Sequence, residues 1–206
     1  ESGALDLLKK IGLRASGDYN HLVGWITNPV LGGKDVNPID IKGGMANLLW
    51  KAADNLTVLL SGDYSYTDKF CCSLVARSTP NLGSPAATSN ALYGVVAGPE
   101  NMQTTAGGDQ EGSHEIYGAS LNVDLEVGDY TFTSITAYRS SENENIFDAD
   151  YSIYPYLDYN GGPTKINNFS QELRVASPLG ERFDFVAGLF YYDLHNEGKK
   201  EIILII

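Results

Sequence analysis

The sequence predicts an all-β chain, part of the wall of an antiparallel, up-and-down transmembrane β-barrel, with about seven strands of a larger barrel. Three observations predict it. Stretches of about ten residues alternate apolar with polar or small side chains, and the connections between them alternate strictly between tight and long. Tyr, 13 of 206 residues, rims the apolar faces of those stretches. A strand of about 10 residues at ~3.3 Å each, tilted by ~45°, rises ~23 Å, close to the apolar band of an outer-membrane barrel. Sandwich strands more often stop at about 5 to 6 residues.

The hairpin Phe169 to Tyr192 states the pattern most fully. Phe169, Gln171, Leu173 and Val175 face one way, with Ser170, Glu172, Arg174 and Ala176 opposite. After a turn at Pro178 to Arg182, Phe183, Phe185, Ala187, Leu189 and Tyr191 form the apolar set, against Asp184, Val186, Gly188, Phe190 and Tyr192. One face is greasy; the other suits a lumen or a wetted surface.

Taken in order, Gly3 to Lys10 reads as a brief helical turn or a lead into a strand. Ile11 to Tyr19 alternates, and residues 20–38 form a loop rich in Gly, Asn and Pro. Ile39 to Lys51 is a strand with Leu48 and Trp50 on its apolar face, followed by a tight connection at 52–55. Leu56 to Tyr66 alternates, and 67–113 is a long polar loop, a rarity inside a compact soluble domain. Ile116 to Leu125 and Tyr130 to Arg139 flank a turn at 127–129, and 140–165 is a second long loop, acidic and Tyr-rich. Tight turns thus share one end of the sheet and long loops the other. A soluble up-and-down barrel has no physical reason to segregate them so.

Composition bounds the partners. Lys plus Arg number 14 against 26 Asp plus Glu, a formal charge of -12, so the clustered positive surface that nucleic acid requires is lacking. No apolar run approaches the roughly 20 residues of a spanning helix, so contact with a membrane core requires a barrel. The chain opens at Glu1-Ser-Gly without a signal-like stretch, which implies a removed leader or a start inside a longer protein.

Several stretches resemble the barrel domain of TonB-dependent receptors, importers of the Gram-negative outer membrane. They are Gly24-Trp-Ile-Thr-Asn28 before Gly32-Gly-Lys-Asp35, Asn47-Leu-Leu-Trp50 before Asp54-Asn-Leu-Thr57, Gly62-Asp-Tyr-Ser65 and Thr133-Ser-Ile-Thr-Ala-Tyr-Arg139. The strongest is Phe169-Ser-Gln-Glu-Leu-Arg-Val-Ala-Ser177 followed by Val186-Ala-Gly-Leu-Phe-Tyr-Tyr192. The resemblance implies a barrel of about 22 strands around a plug that contacts TonB. It also implies capture of a scarce solute by loops and plug, such as a ferric siderophore, cobalamin or an oligosaccharide. Residues 1–206 then form part of the barrel domain, without plug or remaining strands, and outer-membrane lipid is a further partner. The end at Glu201-Ile-Ile-Leu-Ile-Ile206 departs from the terminal aromatic strand of the class; it reads as wall or as an effect of truncation.

No catalytic, cofactor or metal residue is predicted, and no enzyme. His21, His114 and His195 lie apart without ligand spacing. Cys71 and Cys72 are adjacent in the longest loop, where a strained vicinal bridge, free thiols or a clip to another part of the protein are alternatives. Glu142, Glu144, Asp148 and Asp150 offer oxygen ligands for Ca²⁺ or for divalent bridging to lipid, but their irregular spacing favours a solvated charge run. Gly107 to Gly112 lacks the setting of a phosphate loop. Arg14, Arg139, Glu172 and Arg174 fall on the lumen face, where hydrogen bonding to the plug is favoured over direct contact with the substrate. Two rival readings share the pattern: a passive porin-like channel, and a soluble all-β carbohydrate-binding module.

Overall fold

The computed structural model describes residues 10–70, 73–78, 81–108, 110–180 and 183–204. One antiparallel sheet dominates, built from β1 (Ile11–Leu22), β4 (Ile39–Ala53), β5 (Leu56–Lys69), β6 (Glu111–Val127), β7 (Tyr130–Phe147), β8 (Tyr159–Ala176) and β9 (Val186–Gly198). Each strand pairs with the next in that order, the up-and-down arrangement of a barrel wall. A small hairpin of β2 (Ile26–Asn28) and β3 (Lys34–Val36) interrupts the first loop. The last strand, β10 (Glu201–Ile203), also pairs with β8. It continues β9: Gly198 lies opposite Thr164 and Glu201 opposite Gly161, so the register is unbroken across the Lys199–Lys200 step. Pro163 has no N–H to give there, and its carbonyl accepts from Lys199 N at 3.0 Å. Among the described residues the wall therefore has seven strands.

Alternation of faces follows the expected sets. Leu13, Leu48, Leu60 and Leu121 share one cross-strand row and one face, while Arg14, Asn47, Ser61 and Ser120 share the row beside them on the other. Among the described residues no second sheet covers either face. On the apolar face Leu13 is 74% and Leu189 75% exposed.

Aromatic rings mark the apolar face in two tiers that run obliquely to the ladder. Gly17, Gly44, Tyr64, Tyr117, Ser140, Asn167 and His195 form one cross-strand row. Relative to it, towards the loop end, Tyr19 stands two residues above, Tyr138 and Phe169 two below and Tyr191 four below. The upper tier thus drops about one residue, ~3.3 Å, per strand spacing of ~4.8 Å, an angle of about 35°. In the lower tier Trp50 on β4 lies six residues below the row and Tyr130 on β7 ten below, beside Phe185 at 6.5 Å between ring centroids.

Strand extents differ from the sequence expectation, chiefly at the loop end. Residues 140–147 and 159–165, expected as loop, extend β7 and β8, and residues 20–22, 67–69 and 111–113 likewise continue strands. The loop 67–113 shrinks accordingly and contains a helix, α1 (Pro85–Leu92), started by Ser84, whose side chain accepts from Ala87 N at 3.2 Å, with Pro85 in its first turn. Of the turn expected at 178–182, Glu181 and Arg182 lie outside the described residues; β8 ends at Ala176 and β9 begins at Val186 and not at Phe183, and Ser177 N donates to Phe185 O at 2.9 Å. Gly3 to Lys9 and Ile205–Ile206 lie outside the described residues.

Candidate functional site

Among the described residues the buried apolar ones, Ile26, Val36, Ala87, Val95 and Ala106, all lie in the connections at the long-loop end. The described residues of these connections, within 23–38, 70–110 and 148–158, pack into a cap whose interior is mostly polar. Asn28 Nδ2 donates to Ala106 O at 2.8 Å, and Thr27 N to Met102 O at 2.9 Å. Asn37 and Ser73 exchange two bonds at 3.0 and 3.1 Å. Ile153 N donates to Ser89 Oγ at 3.0 Å, and Thr105 Oγ1 to Asn90 Oδ1 at 2.9 Å. Short polar side chains suit this work because irregular backbone leaves N–H and C=O groups that need partners once buried.

Asp148 is the chief fastening. Fully buried, it accepts from Gly107 N and Gly108 N through Oδ2 at 3.0 and 3.3 Å, and from Asp150 N and Tyr151 N through Oδ1 at 3.0 and 2.8 Å. Burial pushes its carboxyl above the ordinary carboxylate value, and the backbone donors pull against that shift. Tyr151 adopts φ 54°, a left-handed conformation that bulky residues rarely take. Asp150 Oδ2 in turn accepts from Leu157 N at 2.9 Å.

The candidate acids therefore separate. Glu142 and Glu144 stand on β7, on the apolar tier's face, and Glu142 meets Lys165 Nζ at 3.2 Å. Asp148 and Asp150 belong to the loop, where Asp158 joins them with ligand-type oxygens within 4.8 Å of one another. That spacing suits a hard cation. However, both oxygens of Asp148 and of Asp150 are already aimed at N–H groups, so the cluster acts as a loop fastener.

The histidines stay apart. His21 Nδ1 lies 2.9 Å from Asp40 Oδ1, His114 Nε2 2.9 Å from Ser141 Oγ, and His195 Nε2 2.8 Å from Glu197 Oε1. On the polar face Arg139 lies across Gly118 and donates to Asp63 Oδ1 at 2.6 Å, spanning from β7 to β5. Arg174 pairs with Glu172, two residues away on β8, and Arg14 shares their face on β1. Gly107 and Gly108 serve Asp148 as donors, a role that spacing in the sequence did not suggest. Cys71 and Cys72 lie outside the described residues.

Above Asp63 the polar face of β5 to β10 changes character. Lys69, Gly112, Asn145 and Gly162 are cross-strand neighbours, and Lys200 falls opposite Gly162 on the continued ladder. The row beneath holds Thr67, His114, Asn143, Thr164 and Gly198. A cavity of about 330 Å³ is lined by Asn143, Asn145, Gly162, Thr164, Gly198 and Lys200.

No protein-family model and no curated protein matches the sequence. Among solved structures the chain is similar to the ferric yersiniabactin uptake receptor FyuA from Yersinia pestis, with a TM-score of 0.71 at 15% identity. The similarity covers 95% of this chain and 28% of that one. At that identity the likeness establishes the fold, a segment of β-barrel wall.

Proposed function

We propose that the chain is a stretch of the barrel domain of a TonB-dependent outer-membrane receptor, which imports a scarce solute with energy relayed through TonB. The plug and the remaining strands belong to parts of the protein that this chain does not include.

The oblique aromatic tiers carry this reading. Barrel strands lean from the axis by about 35–45°, so a ring of side chains level with a flat membrane boundary must step along the register from strand to strand. The observed drift of about one residue per strand corresponds to about 35°, and a soluble sheet has no boundary to impose it. On β7 the tiers are eight residues apart, Tyr138 to Tyr130, which at that lean is ~21 Å along the normal, near the ~25 Å of the apolar band. An exposed apolar band of this extent is far beyond what a soluble monomer leaves uncovered. The ordered cap supports a role in solute capture, because long loops at one rim are where such a wall meets the medium.

The test is fractionation of the full-length gene product combined with uptake. The expected results are recovery in the outer membrane, a plug-sized domain encoded ahead of Glu1, and solute uptake that stops when TonB is deleted. Recovery from the periplasm without detergent supports the carbohydrate-binding module instead, and a complete reading frame without a plug supports the porin-like channel.

A further inference from the structure

The chain carries a formal charge of -12, yet its acids are not spread evenly over the wall. Towards the loop end, Asp68, Glu115, Glu142, Glu144 and Glu197 all stand on the outward face. Among the described residues, the inward face of β5 to β10 above Asp63 bears no acid, and its ionisable groups are Lys69, His114 and Lys200.

The inward row has a particular relief. Asn145 sits between two glycines, and beyond each glycine is a lysine. At Gly112 a Cβ would stand 2.7 Å from both Asn145 Oδ1 and Lys69 Cε, so the missing side chain is what lets the lysine stem lie across β6 towards Asn145. At Gly162, φ 142°, a Cβ would stand 2.1 Å from Lys199 O, so glycine is required for β9 to approach. Asn145 Oδ1 is buried without a hydrogen-bond partner, and as an acceptor it takes a donor and not the anion itself. Lys200 is exposed at the edge of the 330 Å³ cavity that Asn143, Asn145 and Thr164 also line. Backbone floor, amide and hydroxyl groups, and lysines at either end, on strands about 19 Å apart over four strand spacings, form a surface for an extended, oxygen-rich anion.

We propose that this row on the upper inward wall contacts a carboxylate-bearing solute. Lys69 and Lys200 meet its charge, and the Nδ2 groups of Asn143 and Asn145 and the Thr164 hydroxyl donate to its oxygens. The inference rests on the receptor reading and names the solute class which that reading leaves open.

The test titrates full-length receptor in detergent with two probes, ferric citrate and a neutral ferric trihydroxamate, following intrinsic tryptophan fluorescence. The expected result is saturable binding of ferric citrate that weakens as salt rises. Replacing both lysines (K69Q/K200Q) weakens it roughly 10- to 100-fold, the arginine pair (K69R/K200R) retains it, and the trihydroxamate signal is the same in all three proteins. Heat-modifiable migration verifies that each variant folds. Absence of ferric citrate binding, tighter binding of the trihydroxamate, or an unchanged affinity in K69Q/K200Q overturns the inference. The receptor reading fails on different grounds, namely loss from the outer-membrane fraction or uptake independent of TonB.

Discussion

Asp148 shows how one residue organises the cap. Its four backbone donors come from two separate segments, so removing the carboxylate strands N–H groups in both. Each buried donor left unpaired costs about 1–3 kcal/mol, a penalty the cap escapes by opening to water. Asp148→Ala is therefore expected to raise amide exchange across 101–108 and 148–158 while the strands stay protected, as read by hydrogen exchange on the full-length protein. The pH dependence follows from the direction of the shift. Burial raises the folded-state pKa above the unfolded value of about 3.9, so the folded cap holds this proton more tightly. The cost of the buried charge is present at neutral pH and declines as pH falls through the raised folded pKa, ending near the unfolded one. Relative to Asp148→Asn, which has no such proton, the native cap should gain stability on acidification over that window. The reverse trend contradicts the assignment.

Individual strands test which face meets which solvent. Leu121 on β6 lies about midway between the two aromatic tiers on the apolar face, and Ser120 beside it points the other way. Leu121→Arg should cost about 2–4 kcal/mol, the penalty for a cation near a bilayer midplane, whereas Ser120→Arg should change stability little, both measured by urea titration of the full-length protein in lipid. These faces were legible in the sequence because a period of two survives wherever one side is apolar and the other polar. The upper reaches of β7 and β8 were not. In Ser141-Glu-Asn-Glu-Asn145 and Gly161-Gly-Pro-Thr-Lys165 both faces are polar or small, so no alternation separates strand from loop. Helix α1 escaped notice for a related reason: Pro85–Leu92 is short and has no apolar stripe, its buried positions being Ala87, Ser89 and Asn90. The inward row from Lys69 to Lys200 depends on the register of four strand pairs, which turn lengths alone do not specify.

Across the wall, apolar burial among the described residues is confined to the cap, and the sheet itself is one layer with a wet side and a greasy side. Such an arrangement is stable only where the surroundings differ on its two faces, with hydrocarbon against one and water or protein against the other. The tight turns, the long loops and the charged rim then take their places along a single normal. That normal is inclined to the strands by the angle the rings record. The most direct measurement is depth by spin label in the full-length protein in lipid. Single cysteines replace Tyr19, Tyr64, Tyr138 and Tyr191, with Cys71 and Cys72 changed to serine, and oxygen and nickel-chelate accessibilities are compared. One common depth is expected for all four labels near the membrane boundary, although they differ by up to six residues in cross-strand register. Depths that track the cross-strand rows, or labels shielded from both reagents by packed protein, would contradict it.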